Sequence, residues 1–181
     1  MGSASQSNFS LPKALASLAH LIKQTQESLY PVMKMIYLAE KCHLERYGRL
    51  ITGDTYIAMN QGPVPSSIYD MVKFVRGERA YYEGGEAAKA LLSYDLSTHQ
   101  LSLLSEPDLS ELSQSDIECL NEVVAKHKGV GGAEIRKMSH DDAWRATSPN
   151  SGMSLATIAA QFDDGAVLTQ HLADRYPGTA H

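Results

Sequence analysis

The chain has 181 residues, of which 43% are hydrophobic and 20% charged, and its formal net charge is −5 at pH 7. These values are typical of one globular domain with a hydrophobic core, and they exclude a chain that is disordered throughout. No run of residues reaches the roughly 18 apolar positions that a membrane-spanning helix needs, so a membrane protein is excluded. The acidic balance argues against direct nucleic-acid binding, because phosphate contacts require clustered Lys and Arg.

Cysteine usage and the chain ends indicate a cytoplasmic protein. Cys42 and Cys119 are too few for a disulfide framework, and each lies in a predicted helix, where we expect it to pack as a small apolar residue. The N-terminus has neither the basic start nor the apolar stretch of a signal peptide. We therefore predict flexible ends at residues 1–8 and 177–181, a single domain at 9–176, and a reducing cytoplasmic environment.

Helical spacing of apolar residues marks the first part of the chain. Leucines at every third or fourth position predict a helix over 11–22, with Ser10 as its N-cap. A second helix is predicted from near Pro31 to just before Gly48, which is suited to a left-handed C-cap. The first half of this helix is apolar nearly all round except at Lys34, and such a helix is usually central in a fold.

The segment that follows the second helix is predicted to be an ordered loop. Gly53, Gly62, Pro63 and Pro65 exclude a continuous helix, because proline lacks the backbone N–H that a helix needs and glycine weakens it. Only a short extended piece is expected here, around residues 55–59.

The middle of the chain combines a helix, a hairpin and a clear helix start. Apolar spacing predicts a helix over 66–76, whereas residues 77–90 receive no assignment because two glycines weaken any helix there. Apolar and polar residues alternate around a turn over 94–103, which predicts a small hairpin. Ser113 and Asp116 have the spacing of a capping box, which predicts that another helix starts at this point.

The C-terminal part is predicted to be a series of short helices. One is expected over 133–138, and Ser139 and Asp142 again have cap-box spacing, so a further helical turn is expected to start there. Two more helices, over 155–162 and 167–176, are separated by an Asp-Asp-Gly sequence. The sum predicts a mainly α, compact single-domain fold with one small β-hairpin or short β element.

The residue types that carry catalysis or bind metals form no recognisable motif. None of the seven histidines is four residues from another, and no Cys-x-x-Cys is present, so no metal site is predicted. Nucleophile-elbow, P-loop and dinucleotide motifs are absent too, so neither an enzyme nor a cofactor is predicted. One alternative stays open: His43, Asp54 and His140 would form the acid–base site of a small hydrolase if the fold brought them together.

Several short motifs in a fixed order carry a resemblance to a known family. They are a Lys-x-x-Tyr-Leu helix at 34–38, a Gly-Asp turn at 53–54, a Gly-Pro-Val element at 62–64 followed by Tyr69, the Leu-Ser-x-Ser-Asp helix start at 112–116, and Ser139-His140 followed by Trp144. In this order and spacing, the chain resembles the Panacea (SocA-like) antitoxin domain family over most of its length, from about residue 11 to about residue 165.

The resemblance implies a compact helical domain with a small β element, encoded beside a toxin in bacterial or prophage toxin–antitoxin pairs. It implies that the partner is a cognate protein toxin, which such domains neutralise by direct binding and without catalysis. One branch of the family acts instead as an adaptor that delivers its toxin to an ATP-dependent protease, and this alternative stays open.

Two interpretations compete for the residues that carry the resemblance. In the first they are scaffold: Tyr37 and Trp144 pack in the core, Gly62 fixes a turn, and Lys34 pairs with Asp54 or with a backbone carbonyl. The second interpretation makes them part of a binding surface. The loop over 53–65 would then form a groove for a toxin segment, together with residues on the flanking helices.

Toxin choice is expected to depend on surface segments such as 81–86 or the last helix. The residues assigned to partner binding are Lys34, Asp54, Gln61, Pro63, Tyr69, Tyr81 and Tyr82. The residues assigned to the structural motif are Tyr37, Gly53, Gly62, Ser139, His140 and Trp144.

Overall fold

The computed structural model describes residues 8–175, which form helices and two small antiparallel sheets. The helices are α1 (Leu11–Thr25), α2 (Leu29–Tyr47), α3 (Ser66–Val75), α4 (Gly85–Leu91), α5 (Gln114–His127), α6 (Gly132–Ser139), α7 (Asp142–Ala146), α8 (Leu155–Ala159) and α9 (Gly165–Arg175). The strands are β1 (Tyr56–Met59), β2 (Gly62–Pro65), β3 (Leu92–Asp95), β4 (Gln100–Leu103) and β5 (Gly152–Met153). The mainly α prediction is confirmed, but the single β-hairpin that was expected understates the strands.

Helix α2 lies at the centre of the fold, as its apolar sequence predicted. Met35, Ile36 and Tyr37 are almost completely buried within a core whose residues range along the chain from Ala14 to Leu172. The helix ends at a Gly48 with a φ of +63°, whose N–H donates to the Leu44 carbonyl. Its central position means that side chains from α2 can reach the rest of the fold on several sides.

The predicted loop after α2 instead supplies two strands, β1 and β2, of a three-stranded sheet whose order is β2-β1-β5. The extended piece expected around residues 55–59 becomes β1, but β2 was missed because it contains two prolines. Tyr56 pairs with Pro65, and Ala58 pairs with Pro63. The Ala58 N–H donates to the β5 side, to Ser151 O at 2.9 Å. Both prolines therefore sit at positions whose nitrogen faces away from β1, on an edge strand where the missing N–H breaks no ladder bond.

A helix also forms within residues 77–90, for which no element is predicted. Gly85 begins α4, and a Cβ at this position would lie 2.4 Å from the ring of Phe74. The glycine that weakened the local helix signal is required because α3 and α4 approach each other so closely. The hairpin predicted over 94–103 is confirmed as β3–β4, although it begins at Leu92 rather than at residue 94.

Two helix starts that looked alike in the sequence differ in the structure. The first capping box is confirmed, since Ser113 Oγ accepts from the Asp116 N–H and Asp116 accepts from the Ser113 N–H. The second is wrong, because Ser139 lies inside α6 and its hydroxyl donates to the Arg136 carbonyl. The cap of α7 is Asp141, which accepts from the Trp144 N–H at 3.0 Å.

The last helix and both chain ends reach the limits of the described residues. The last helix begins at Gly165, earlier than residue 167, and its predicted end at 176 lies outside the described residues. The segments 1–7 and 177–181, predicted to be flexible, also lie outside them. Within residues 8–175, no helix has both the length and the apolar character that crossing a membrane requires.

Candidate functional site

Three side chains hold the β1–β2 hairpin by three of its backbone carbonyl groups, and we call this arrangement the hairpin clamp. The bonds run from Trp144 Nε1 to Met59 O (2.9 Å), from Tyr30 OH to Gln61 O (3.0 Å) and from Lys34 Nζ to Pro63 O (2.7 Å). Two of the donors come from α2 and one from α7. The clamp therefore ties the short edge of the sheet to helices distant in the sequence.

The hairpin turn also packs closely against the end of α6. Gly62 has a φ of +102°, and a Cβ at this position would lie 2.8 Å from Ser139 Oγ and 3.0 Å from His140 Cδ2. The His140 ring stacks on Trp144 with the ring centroids 3.7 Å apart. Gly62, Ser139, His140 and Trp144, all assigned to the structural motif, thus meet at one place and leave no room for a larger residue at the turn.

Lys34 is the most unusual member of the clamp, because its ammonium group is buried. Only 1% of the residue is exposed, and burial, with a smaller contribution from Arg136, lowers its pKa to about 7. Its hydrogen-bond acceptor is the Pro63 carbonyl rather than Asp54. Of the two partners expected for Lys34 in the scaffold interpretation, Asp54 or a backbone carbonyl, the structure therefore contains the carbonyl.

The buried lysine predicts a pH dependence of stability. Unfolded Lys34 keeps its proton up to about pH 10.5, whereas the folded chain releases it at about pH 7, so the unfolded state binds more protons between these values. The stability attributable to this residue therefore rises with pH in that window. We expect the free energy of unfolding of the wild type, minus that of Lys34→Met, to increase by about 2 kcal/mol between about pH 7 and about pH 9.

Denaturant unfolding of both proteins across this pH range measures the difference. Lys126→Met is the matched control, because the Lys126 side chain is 62% exposed and its difference curve should be flat. A curve for Lys34→Met as flat as that of the control would mean that Lys34 keeps its proton when the chain folds.

Asp54, assigned to partner binding, is also buried and is bound by the chain's own backbone. Its carboxylate accepts from the N–H groups of Thr55 (2.8 Å), Ser67 (2.9 Å) and Ile68 (2.9 Å). Two of these are N–H groups in the first turn of α3, so Asp54 caps a helix that begins twelve residues later. Burial raises the pKa of Asp54, although the three hydrogen bonds oppose the rise. The neighbouring Gly53 is needed because a Cβ there would lie 2.2 Å from the Asn8 carbonyl.

Two acidic residues that the sequence analysis did not single out also join separate parts of the chain by hydrogen bonds, as Asp54 does. Asp141 accepts from Tyr37 OH (2.8 Å) and Lys41 Nζ (2.6 Å) while it caps α7. Glu40 accepts from the backbone N–H groups of Ile51 and Thr52, and burial raises its pKa to about 7. An Asp three positions before Trp144 is itself a capping signal, but the competing pattern at Ser139 hid it.

The three residues of the hydrolase hypothesis have separate surroundings. His43 Nδ1 donates to Arg49 O at 2.8 Å, and its Nε2 lies 3.1 Å from both Ser115 Oγ and Asp116. Asp54 binds the amides described above, and His140 stacks on Trp144. Among the residues that the structure describes, no hydrogen bond joins two of His43, Asp54 and His140, and no group of three or more His, Cys, Asp or Glu is arranged to hold a metal.

The three tyrosines assigned to partner binding lie at or near the surface. Tyr81 is 74% exposed, and its carbonyl accepts from Arg79 Nε at 3.1 Å, while Arg79 also forms an ion pair with Asp70. Tyr82 is half-buried, and burial raises its pKa to about 12. Tyr69, next to Asp70 on α3, is also half-buried. We call these five residues the Tyr81 surface.

Gln61 and Pro63 belong to the hairpin rather than to this surface. Gln61 is exposed at the hairpin turn, and Pro63 is buried in β2. The predicted partner-binding residues therefore fall into a buried set, which maintains the fold, and an exposed set, which is available for contact. Sequence position gave no means of separating the two sets, because both occur within the same short motifs.

Comparison with known proteins agrees with the order of motifs. Residues 32–145, well over half of the chain, match the family model described as antitoxin SocA-like, Panacea domain. The match extends from α2 to α7 and includes Lys34 and Trp144 of the hairpin clamp, whereas Tyr30 lies just before it. No curated protein and no solved structure matches the chain. The resemblance drawn from the sequence is confirmed, and the chain belongs to the antitoxin SocA-like Panacea domain family.

Proposed function

We propose that this chain is an antitoxin that binds and neutralises a protein toxin encoded beside it, in the bacterial or prophage toxin–antitoxin arrangement and in the cytoplasm. The observation that carries the proposal is the family match over residues 32–145. Neutralisation is by protein–protein contact and needs no reaction on the toxin.

The contacts of the polar motif residues support binding rather than catalysis. Lys34 donates to a carbonyl of its own chain, and Asp54 and Glu40 accept from amides of their own chain. A catalytic acid or base must reach the proton that it transfers, within about 3 Å or through one water. These three buried groups are instead engaged in maintaining the fold, and we assign them the role of scaffold.

The Tyr81 surface and α9 are the proposed contact region for the toxin. Interfaces are enriched in Tyr and Arg, and a few such residues supply most of the binding energy. Tyr81 and Arg79 are exposed side by side, and Val167 on α9 is 73% exposed. Lys34, Asp54 and Pro63 are buried, so they affect the toxin only through the shape of the domain.

Co-expression tests the proposed function. The product of the adjacent gene is expressed alone and together with this chain, and growth and co-purification are measured. We expect growth to stop with the adjacent product alone and to resume when both are present, with the two proteins purifying as one complex. Absence of both rescue and co-purification would contradict the proposal.

Alanine substitution on the Tyr81 surface tests the proposed interface. Tyr81→Ala and Tyr82→Ala should each weaken toxin binding by about tenfold, because each removes an aromatic anchor worth about 1–2 kcal/mol. Titration calorimetry on the purified pair gives the affinities. Leu96→Ala is the control, since Leu96 is 66% exposed but lies in the turn between β3 and β4. Unchanged affinity in both test variants would place the interface elsewhere.

The adaptor alternative differs in the fate of the toxin. If the chain sequesters the toxin, the half-life of the toxin in cells does not depend on any ATP-dependent protease. If the toxin disappears only when both this chain and one such protease are present, the chain delivers the toxin for degradation and does not sequester it.

A further inference from the structure

The two cysteines of the chain, 77 positions apart, meet in the fold. Cys42 lies on α2 and Cys119 on α5, and their Sγ atoms are 3.1 Å apart, with both residues present as free thiols. A disulfide bond has an S–S length of about 2.05 Å, so the two sulfur atoms are about 1 Å from bonding distance. Nothing in the spacing of two such distant residues predicted this contact.

The two thiols differ in their access to solvent. Cys119 is completely buried, and burial, with a smaller contribution from its contact with Cys42, raises its pKa to about 12. Cys42 is partly exposed and lines a groove of about 620 Å³ that is bordered by α2, α5, α6 and α7. A reagent in this groove can therefore reach Cys42 first, with Cys119 directly behind it.

We propose that Cys42 and Cys119 are a redox-sensitive pair that forms a reversible disulfide between α2 and α5. Cys42 is the sulfur that reacts with an external oxidant, and Cys119 is the sulfur that resolves the resulting adduct. In a reducing compartment, disulfides of this kind are transient and respond to oxidation rather than permanently supporting the fold. The inference does not depend on the proposed antitoxin function.

A low-molecular-weight disulfide such as oxidised glutathione supplies the oxidising equivalents. The Cys42 thiolate attacks one sulfur of glutathione disulfide, and one glutathione leaves as a thiolate. The Cys119 thiol then attacks Cys42 Sγ, and its proton passes to the second glutathione as that glutathione leaves. Two protein thiols are oxidised to one disulfide, one glutathione disulfide is reduced to two thiols, and the two protons lost by the protein are taken up by the two glutathiones.

The bond would reinforce the central packing of the fold. Helix α2 contributes Tyr30 and Lys34 to the hairpin clamp, and α5 carries Asp116, which pairs with Lys13 of α1. A covalent link between α2 and α5 closes a long loop in the unfolded chain and thereby reduces its conformational freedom. Oxidation should therefore make the domain harder to unfold.

Mass spectrometry of the full-length native chain tests the pair. The reduced protein is incubated with oxidised glutathione, denatured in an alkylating reagent, and digested. We expect the wild type to lose about 2 Da, to resist alkylation at both cysteines, and to yield one peptide pair joined through Cys42 and Cys119. Reduction with dithiothreitol should restore both thiols.

Two serine variants separate the roles of the cysteines. Cys119→Ser should retain one glutathione on Cys42, because no second thiol can displace it. Cys42→Ser should remain almost unmodified, because Cys119 is buried. A wild type that keeps glutathione on Cys42 as Cys119→Ser does, or one in which both thiols remain open to alkylation, would overturn the proposal.

Thermal unfolding tests the consequence of the bond. We expect the oxidised wild type to unfold about 5–10 °C above the reduced wild type. Cys42→Ser treated in the same way should show no shift, which controls for effects of glutathione itself. A cross-linked wild type with an unchanged Tm would overturn the stabilising role.

Discussion

Replacing Trp144 with alanine should lower the free energy of unfolding by about 4 kcal/mol, and the Tm by about 10 °C. The indole ring stacks on His140, and its Nε1 donates to Met59 O at 2.9 Å. Alanine removes both contacts, and with them the hydrogen bond that ties the Met59 carbonyl of the hairpin to α7. Because β2 is an edge strand, the hairpin has no further strand on that side to compensate for the loss.

A second substitution separates packing from hydrogen bonding at this position. Trp144→Phe keeps an aromatic ring against His140 but has no N–H. Beyond the free energy lost with the smaller ring, the missing hydrogen bond should lower the free energy of unfolding by about 1 kcal/mol. Far-ultraviolet circular dichroism is the appropriate measurement, since Trp144 is the only tryptophan and its fluorescence disappears in both variants. A loss below about 1 kcal/mol for Trp144→Ala would mean that the hairpin is held without the clamp.

Asp54→Ala should also cost about 4 kcal/mol, because it leaves three backbone N–H groups without their acceptor. Two of the three begin α3, and the Ile68 N–H is buried, so water cannot replace the lost carboxylate without entering the core. Chemical denaturation followed by circular dichroism gives the free energy. The expected signature is a fall in the midpoint with an unchanged slope, since the same surface is exposed on unfolding.

The chain offers a matched control for Asp54. Asp95 also accepts three hydrogen bonds, from the Ser97 N–H, the Ser97 hydroxyl and the Thr98 N–H, but it is exposed at the end of β3. Asp95→Ala should lower the free energy of unfolding far less than Asp54→Ala, because water can take the place of the carboxylate. Equal losses for the two variants would contradict the view that burial gives Asp54 its importance.

Both experiments bear on the proposed antitoxin function. If Trp144 and Asp54 are scaffold, their conservative variants, once folded, should bind the toxin with nearly wild-type affinity. The Tyr81 surface should behave in the opposite way, with affinity lost and stability retained. Such a division would explain how one domain keeps a fixed set of motif residues while its exposed surface is free to match a particular toxin.

Local signals in the sequence were sufficient for the features that depend on neighbouring residues. The N-cap at Ser10 and the left-handed C-cap at Gly48 were predicted correctly. So was the capping box at Ser113, because it involves atoms only a few residues apart. The central position of α2 also followed from its apolar sequence, since a helix without a polar face must be covered on all sides.

Local signals failed where a distant contact decided the outcome. Pro63 and Pro65 argued against a strand, and only the pairing of β1 with β5 on its other side reveals that their nitrogens face away from the ladder. Gly85 argued against a helix, and only its approach to Phe74 explains why glycine is required. In both cases the deciding contact lies in another element of the fold, and the local pattern around the residue does not show it.

The sequence by itself determined that this is a mainly α domain of the Panacea family, because periodicity, caps and the order of motifs are properties of the chain alone. Only the tertiary structure decided the role of each motif residue. Lys34 binds a carbonyl rather than Asp54, Asp54 caps a helix rather than facing a partner, and Cys42 meets Cys119. The physical reason is that a buried polar group takes its partner from whatever the fold brings within hydrogen-bond distance, and that neighbour cannot be identified from spacing along the chain.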